Sequence, residues 1–210
     1  MKFSKKEAIS FGWKTTKKNI KFFAILLLIL FSISISSTYI EDIAKKKSPS
    51  LYLLTNAFFF FVTTILEMGL IKIWLNFSVN IPSKFSDLFS QYRLFFSYFF
   101  ATLLYNLIVV LGLLCFVIPG IFLGVRLSFF RYFIIDKNLK IGESLKESWQ
   151  ITRGNFWNLF LFYLLCGLIG ILGLICFFIG LFWAIPTTEI ATAFIYRKLE
   201  YGENKITYFN

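Results

Sequence analysis

Residues 117–159 read VIPGIFLGVRLSFFRYFIIDKNLKIGESLKESWQITRGNFWNL, from Val117 to Leu159. The stretch holds an apolar helix opened by Pro119-Gly120, a short charged segment from Asp136, an amphipathic turn ending in Trp149, and the start of the next apolar helix near Asn155. The rest of the chain repeats that alternation. Of its 210 residues, 58% are hydrophobic and 16% charged, against about 45–50% and about 25% in soluble domains. A soluble core of this size could not hide so many Phe, Leu and Ile side chains, so the excess apolar surface calls for a bilayer.

The net charge of +11 falls in the short segments between apolar runs. Positive-inside topology and contact with anionic headgroups explain it. Nucleic acid is not expected as a partner, because no basic groove or aromatic platform can be drawn outside the spans. The chain has no histidine, which removes the commonest metal ligand and general base. Cys115, Cys166 and Cys176 all sit in apolar runs, are odd in number and form no CxxC; they read as buried thiols. No cofactor or metal is expected.

Taken in order, Ser4-Lys5-Lys6-Glu7 is a capping-box pattern. Ile9, Trp13, Thr16 and Ile20 recur at helical spacing beside Lys14, Lys17 and Lys18, which predicts an amphipathic helix in the interface with Trp13 at headgroup level. Phe22 to Ile40 is expected to be the first span and not a cleaved leader, for which its basic flank is too long and too patterned. Ser32, Ser34, Ser36 and Ser37 can bond back to helix carbonyls inside it. Glu41 to Ser50 reads as a loop carrying Lys45, Lys46 and Lys47, and Leu51 to Val79 as a second span. Pro82 to Tyr92 predicts another amphipathic helix, capped by Ser83, with Phe85, Leu88, Phe89 and Tyr92 as its apolar stripe. The third span runs from Arg93 to Ile118. Pro119-Gly120 makes the turn into a fourth span ending near Ile135, Pro being natural at a helix start. Ile141, Leu145, Trp149 and Thr152 share the face of a third amphipathic helix, with Glu143 and Glu147 early in it. The fifth and sixth spans cover Asn155 to Cys176 and Ile179 to Leu199, the latter interrupted by Pro186 as a kink. The glycines of Gly120-x3-Gly124 and Gly167-x2-Gly170-x2-Gly173 predict close helix approach.

An internal repeat emerges. Leu111-Gly-Leu-Leu-Cys-Phe-Val-Ile118 matches Leu172-Gly-Leu-Ile-Cys-Phe-Phe-Ile179 at an offset of 61, with six of eight positions identical. Glu7, Trp13, Thr16 and Asn19 match Glu143, Trp149, Thr152 and Asn155 at an offset of 136. The expectation is an all-α membrane protein forming a single domain over 1–210. Its six transmembrane helices are arranged as three hairpins, each preceded by an amphipathic interfacial helix, in units of about 1–80, 81–137 and 138–200, with a polar tail over 201–210. Seventeen Lys and Arg then fall on the side of both termini and three on the other, which predicts a cell-membrane protein with cytoplasmic N- and C-termini.

Glu67, Lys72, Arg126 and Glu189 lie inside spans, where a charge costs about 2.5–3.5 kcal/mol and is normally paired or faces a cavity. Arg126, Glu189 and Glu67 are expected to form a central polar network, structural or functional, with Lys72 snorkelling outward. Trp13, Trp149 and Trp157 are expected as interfacial anchors. No serine elbow, phosphate loop or zinc-protease motif occurs.

The segment Ile118-Pro-Gly-Ile, Arg126-Leu-Ser-Phe, Ile135-Asp, Glu143-Ser-Leu, Ser148-Trp and Thr152-Arg-Gly-Asn-Phe-Trp resembles a group of poorly characterised prokaryotic six-span proteins. It is similar to the membrane domain that some glycerophosphodiester phosphodiesterases carry beside their catalytic domain. Gly69 and Pro82-Ser83 with Asp87-Leu88-Phe89 fit the same pattern. The catalytic barrel and its metal ligands are absent from this sequence, so the resemblance implies a fold and a location and not that activity. The expected function is therefore non-enzymatic: organising or passing lipids or other amphiphiles. A small-solute or ion permease and an assembly partner of another membrane complex, or a homo-oligomer, stand as alternatives.

Overall fold

The computed structural model describes residues 3–176 and 180–202. The last three residues of the Leu172–Ile179 repeat and the tail beyond 202 lie outside them. Among the described residues there are nine α-helices, two short 3-10 helices and no strand. The α-helices are α1 (Lys5–Lys18), α2 (Ile20–Lys47), α3 (Pro49–Phe77), α4 (Phe95–Cys115), α5 (Val117–Leu127), α6 (Phe130–Lys137), α7 (Ile141–Ile151), α8 (Phe156–Ile175) and α9 (Leu181–Tyr201). Five helical segments are long and apolar enough to cross a membrane: Ile20–Lys47, Pro49–Phe77, Phe85–Cys115, Val117–Lys137 and Phe156–Ile175. This is a helical membrane protein. The helix at the expected sixth span, α9, is 21 residues long but carries Glu189, Arg197, Lys198 and Glu200, and it is not one of the five.

Several boundaries differ from the sequence reading. The expected loop at Glu41–Ser50 is nearly all helix: α2 runs to Lys47, and only Ser48, extended at φ −165°, separates it from Pro49 at the head of α3. Lys45, Lys46 and Lys47 occupy the last turn, where the helix dipole favours cations. The turn between α4 and α5 is made by Phe116, extended at φ −162° and ψ 151°, and not by Pro119-Gly120. Pro119 sits in the first turn of α5, where its missing N–H costs nothing. Gly120 instead lies against Gly112 and Leu113 of α4, where a Cβ would come within 2.4 Å of Leu113. Pro186 is buried in an unbroken α9.

The segment 82–92 forms 3-10 helices, Phe85–Phe89 and Tyr92–Leu94, not the amphipathic α-helix expected. Its cap also differs. The Lys84 N–H donates to Asp87 Oδ2 at 2.9 Å, while Ser83 Oγ accepts from Asn76 Nδ2 at 3.1 Å. The reason is a close approach: Leu88 is buried on Gly69 of α3, whose Cβ, were there one, would lie 2.0 Å from the Leu88 carbonyl oxygen.

The fourth apolar run breaks between α5 and α6, and α7 supplies what the break leaves open. Ser148 and Thr152 of α7 both donate hydroxyls to the Arg126 carbonyl, at 3.1 and 3.0 Å. Ser148 Oγ in turn accepts the Phe129 N–H at 3.0 Å. The buried face of α7 is thus Ser144, Leu145 and Ser148, with Thr152 beyond, and Trp149 lies at its edge.

Helix α1 packs antiparallel on α9, with Glu7 against Lys198, Phe11 stacked on Phe194 at 4.6 Å, and Trp13 against Trp183 at 5.1 Å. Ser4 caps it by accepting the Glu7 N–H at 3.3 Å, but the Glu7 carboxylate leaves the expected box for Lys198 at 2.9 Å. Phe22 and Phe23 bind α2 to Trp74, Phe77 and Phe85. Gly173 meets Gly180 and Ala184, whereas nothing lies within 4 Å of a Cβ built on Gly167 or Gly170. Gly167→Ala is accordingly expected to leave stability unchanged or raise it by up to about 1 kcal/mol through helix propensity, measured as the midpoint of unfolding in detergent.

Candidate functional site

The second half of α3, α6 and the middle of α9 bring three half-buried charged residues near one another: Glu67 on α3, Arg131 on α6 and Glu189 on α9. Arg131 Nη1 donates to Glu67 Oε1 at 2.6 Å. Arg131 and Glu189 line a cavity of about 580 Å³ bounded by α3, α4, α5, α6, α8 and α9. Tyr98, buried, lies in the field of the Glu67–Arg131 pair.

All but one of the wall hydroxyls are already engaged, the exception being that of Tyr132. Tyr163 donates to Ser128 Oγ at 2.8 Å and Tyr105 to the Gly124 carbonyl at 3.3 Å. Thr188 and Thr192 donate back along α9, to the carbonyls of Ala184 and Thr188 at 2.9 and 2.8 Å. The unspent polar capacity is one acid, Glu189, the Tyr132 hydroxyl and the outer face of one guanidinium, Arg131. The other wall positions, among them Ile71, Val109, Leu113, Ile121 and Leu164, are apolar. Such a space suits a molecule with a small polar or charged head and an apolar remainder. Among the described residues no group of three His, Cys, Asp or Glu could hold a metal ion. No cysteine is bonded, and Cys166 lines the cavity.

The sequence-expected network is corrected in one member. Arg126 is not in it: the Arg126 guanidinium stacks on Trp149 at 4.2 Å and faces Phe122 at 5.8 Å. Arg131, absent from the expectation, takes its place. Its signal was present, since it lies inside the apolar run Leu127–Ile135, but its nearness to Asp136 made it read as part of the polar segment. Lys72 is half-buried on α3 and forms no ion pair among the described residues. Trp13 touches Trp183 of α9 and Trp149 touches Phe122 of α5, and Trp157 is exposed.

A second cluster, unforeseen, ties α6 to α9. Asp136 Oδ2 accepts from Arg197 at 2.7 Å and from the Tyr196 and Tyr201 hydroxyls at 3.2 Å each. Lys137 pairs with Glu200 beside it. Joined by an ion pair and two tyrosine hydroxyls, this cluster reads as a lock between helices.

A family model described as a domain of unknown function, DUF7847, matches residues 24–196. No curated protein and no solved structure matches the chain.

Proposed function

The chain belongs to the DUF7847 family, and since that membership assigns no activity, we propose from the geometry that it is a non-enzymatic, multi-pass protein of the cell membrane that holds and passes amphiphiles. The observation that carries this reading is the open-sided cavity of about 580 Å³, apolar over most of its wall and carrying Glu189 and Arg131. In this reading α9 is the sixth span, and α2 with α3, α4 with α5–α6, and α8 with α9 are three hairpins. Both termini lie in the cytoplasm. Removing Arg131 to the interior leaves sixteen Lys and Arg on that side against three, and those sixteen meet anionic headgroups.

The contacts support the repeat. The segment 85–89 of the second unit sits on α3 of the first, α7 of the third on α5 and α6 of the second, and α1 of the first on α9 of the third. Each leading element therefore crosses to the preceding unit, and α1 closes the ring. The repeat offsets recur in detail. Trp149 touches Phe122 as Trp13 touches Trp183, and Thr152 bonds the Arg126 carbonyl as Thr16 accepts from Thr187 at 3.2 Å.

Gly124→Phe tests the cavity. A Cβ there meets only side-chain atoms of Tyr105 and Val109, the nearest at 3.7 Å, so a side chain at this lining position is expected to take up cavity space. The expected result is a several-fold loss of co-purifying amphiphile in native mass spectrometry, with the melting curve kept. Undiminished amphiphile with a filled cavity would defeat the reading. The permease alternative draws on Glu67, whose side chain is 46% exposed beside Arg131. It predicts solute flux into proteoliposomes that Glu67→Gln abolishes, with co-purified lipid unaffected.

A further inference from the structure

We propose that Arg126 and Arg153 bind the phosphate of an anionic phospholipid whose acyl chain lies in the groove between α5 and α8. Arg126 is 5% exposed, its Nε has no hydrogen-bond partner, and among the described residues no carboxylate lies within ion-pair distance of it or of Arg153. Thr152, whose hydroxyl donates to the Arg126 carbonyl at 3.0 Å, brings the next residue, Arg153, to the side of Arg126, where the two positive charges repel one another. A buried cation is normally paired or hydrogen-bonded, and here the surroundings offer only the faces of Trp149 and Phe122. The missing element is an anion, and a phosphate bridging two guanidiniums is the geometry Arg favours.

The fold holds Arg126 in place from behind. Ser148 and Thr152 fix its carbonyl, so its backbone cannot withdraw from Trp149. Arg153 leads into Gly154, which adopts φ +78° and turns the chain from α7 into α8. Phe122 then continues from the guanidinium into an apolar groove of about 640 Å³, lined also by Ile121, Phe156, Trp157 and Phe160. A cation that faces Phe122, itself part of the wall of an apolar groove, matches a phosphate joined to an acyl chain better than a free anion. The groove shares Ile121 and Phe160 with the central cavity, but Gly124, Arg131 and Glu189 do not line it, and the proposal does not rest on the cavity being occupied.

The test is native mass spectrometry of the purified full chain with dioleoyl-phosphatidylglycerol, dioleoyl-phosphatidylcholine or inorganic phosphate as probe. The wild type is expected to retain phosphatidylglycerol over phosphatidylcholine. Arg153→Gln, at an exposed position that does not threaten folding, should weaken phosphatidylglycerol about five-fold, the share of one basic residue at a membrane surface, and leave phosphatidylcholine unchanged. Trp157→Ser should weaken the dioleoyl lipid while leaving inorganic phosphate unaffected. Gly124→Phe should leave all of this binding intact, which separates a failure here from a failure of the cavity reading. Equal retention of the two lipids, an Arg153→Gln protein that binds as the wild type does, or inorganic phosphate bound as tightly as phosphatidylglycerol would each overturn the proposal.

Discussion

Asp136→Ala is expected to lower the melting temperature of the purified protein by about 10 °C, the shift that corresponds to breaking a buried ion pair worth roughly 3–5 kcal/mol in a chain of this size. The Asp136 side chain is 8% exposed and Arg197 16%, so removing the carboxylate strands a guanidinium that is mostly shielded from water. It also removes the acceptor of the Tyr196 and Tyr201 hydroxyls. Much of the loss is the penalty of the abandoned cation, not the worth of the pair. Arg197→Ala should therefore cost a comparable amount, and Asp136→Ala with Arg197→Ala together should cost clearly less than the sum. Melting curves of the three variants in one detergent decide the matter. An additive double variant would mean that Asp136 and Arg197 do not act as a unit.

Gly69→Ala is expected to be the most damaging single methyl group in the chain. A Cβ there would fall 2.0 Å from the Leu88 carbonyl oxygen and 2.4 Å from its carbonyl carbon and Cα. Those are backbone atoms, so no side chain can rotate away, and the segment 85–89 must lift off α3. Overpacking of this kind costs about 1–3 kcal/mol or more. Lifting the segment would also loosen Phe85 from Phe22, which stack at 4.7 Å. The expected readout is a lowered midpoint together with faster proteolysis at Lys84. Gly12→Ala, 2.2 Å from the Thr187 carbonyl oxygen, should behave likewise at the α1–α9 contact. A Gly69→Ala protein as stable as the Gly167→Ala control would contradict the close approach.

Hydrophobic runs and Lys/Arg placement made the helical, membrane-embedded character legible from residues alone. Apolar length and charge are local quantities that do not wait for packing. The amphipathic starts at Ser4 and Ile141 were readable for the same reason. Local patterning misled where a long-range contact set the backbone. Pro82 to Tyr92 has helical spacing, yet the contact with Gly69 draws it into 3-10 turns. Pro119-Gly120 looks like a turn, yet Phe116 turns and Gly120 packs.

The candidate site divides along the same line. Glu67 and Glu189 stand out in sequence because an acid inside an apolar run is conspicuous wherever it points. Which base joins them was not visible: Arg126 and Arg131 are five residues apart in one apolar run, and the break after Leu127 directs one onto Trp149 and the other onto Glu67. The sequence by itself determined that this chain is a helical membrane protein with charges it must shelter, because transfer from water is a property of each segment. Only the tertiary structure decided how those charges are sheltered. The choice of partner for Arg126, Arg131 and Asp136 depends on distances between helices far apart in the chain, and those are set by glycine contacts and by hydroxyls that α7 lends to a broken helix.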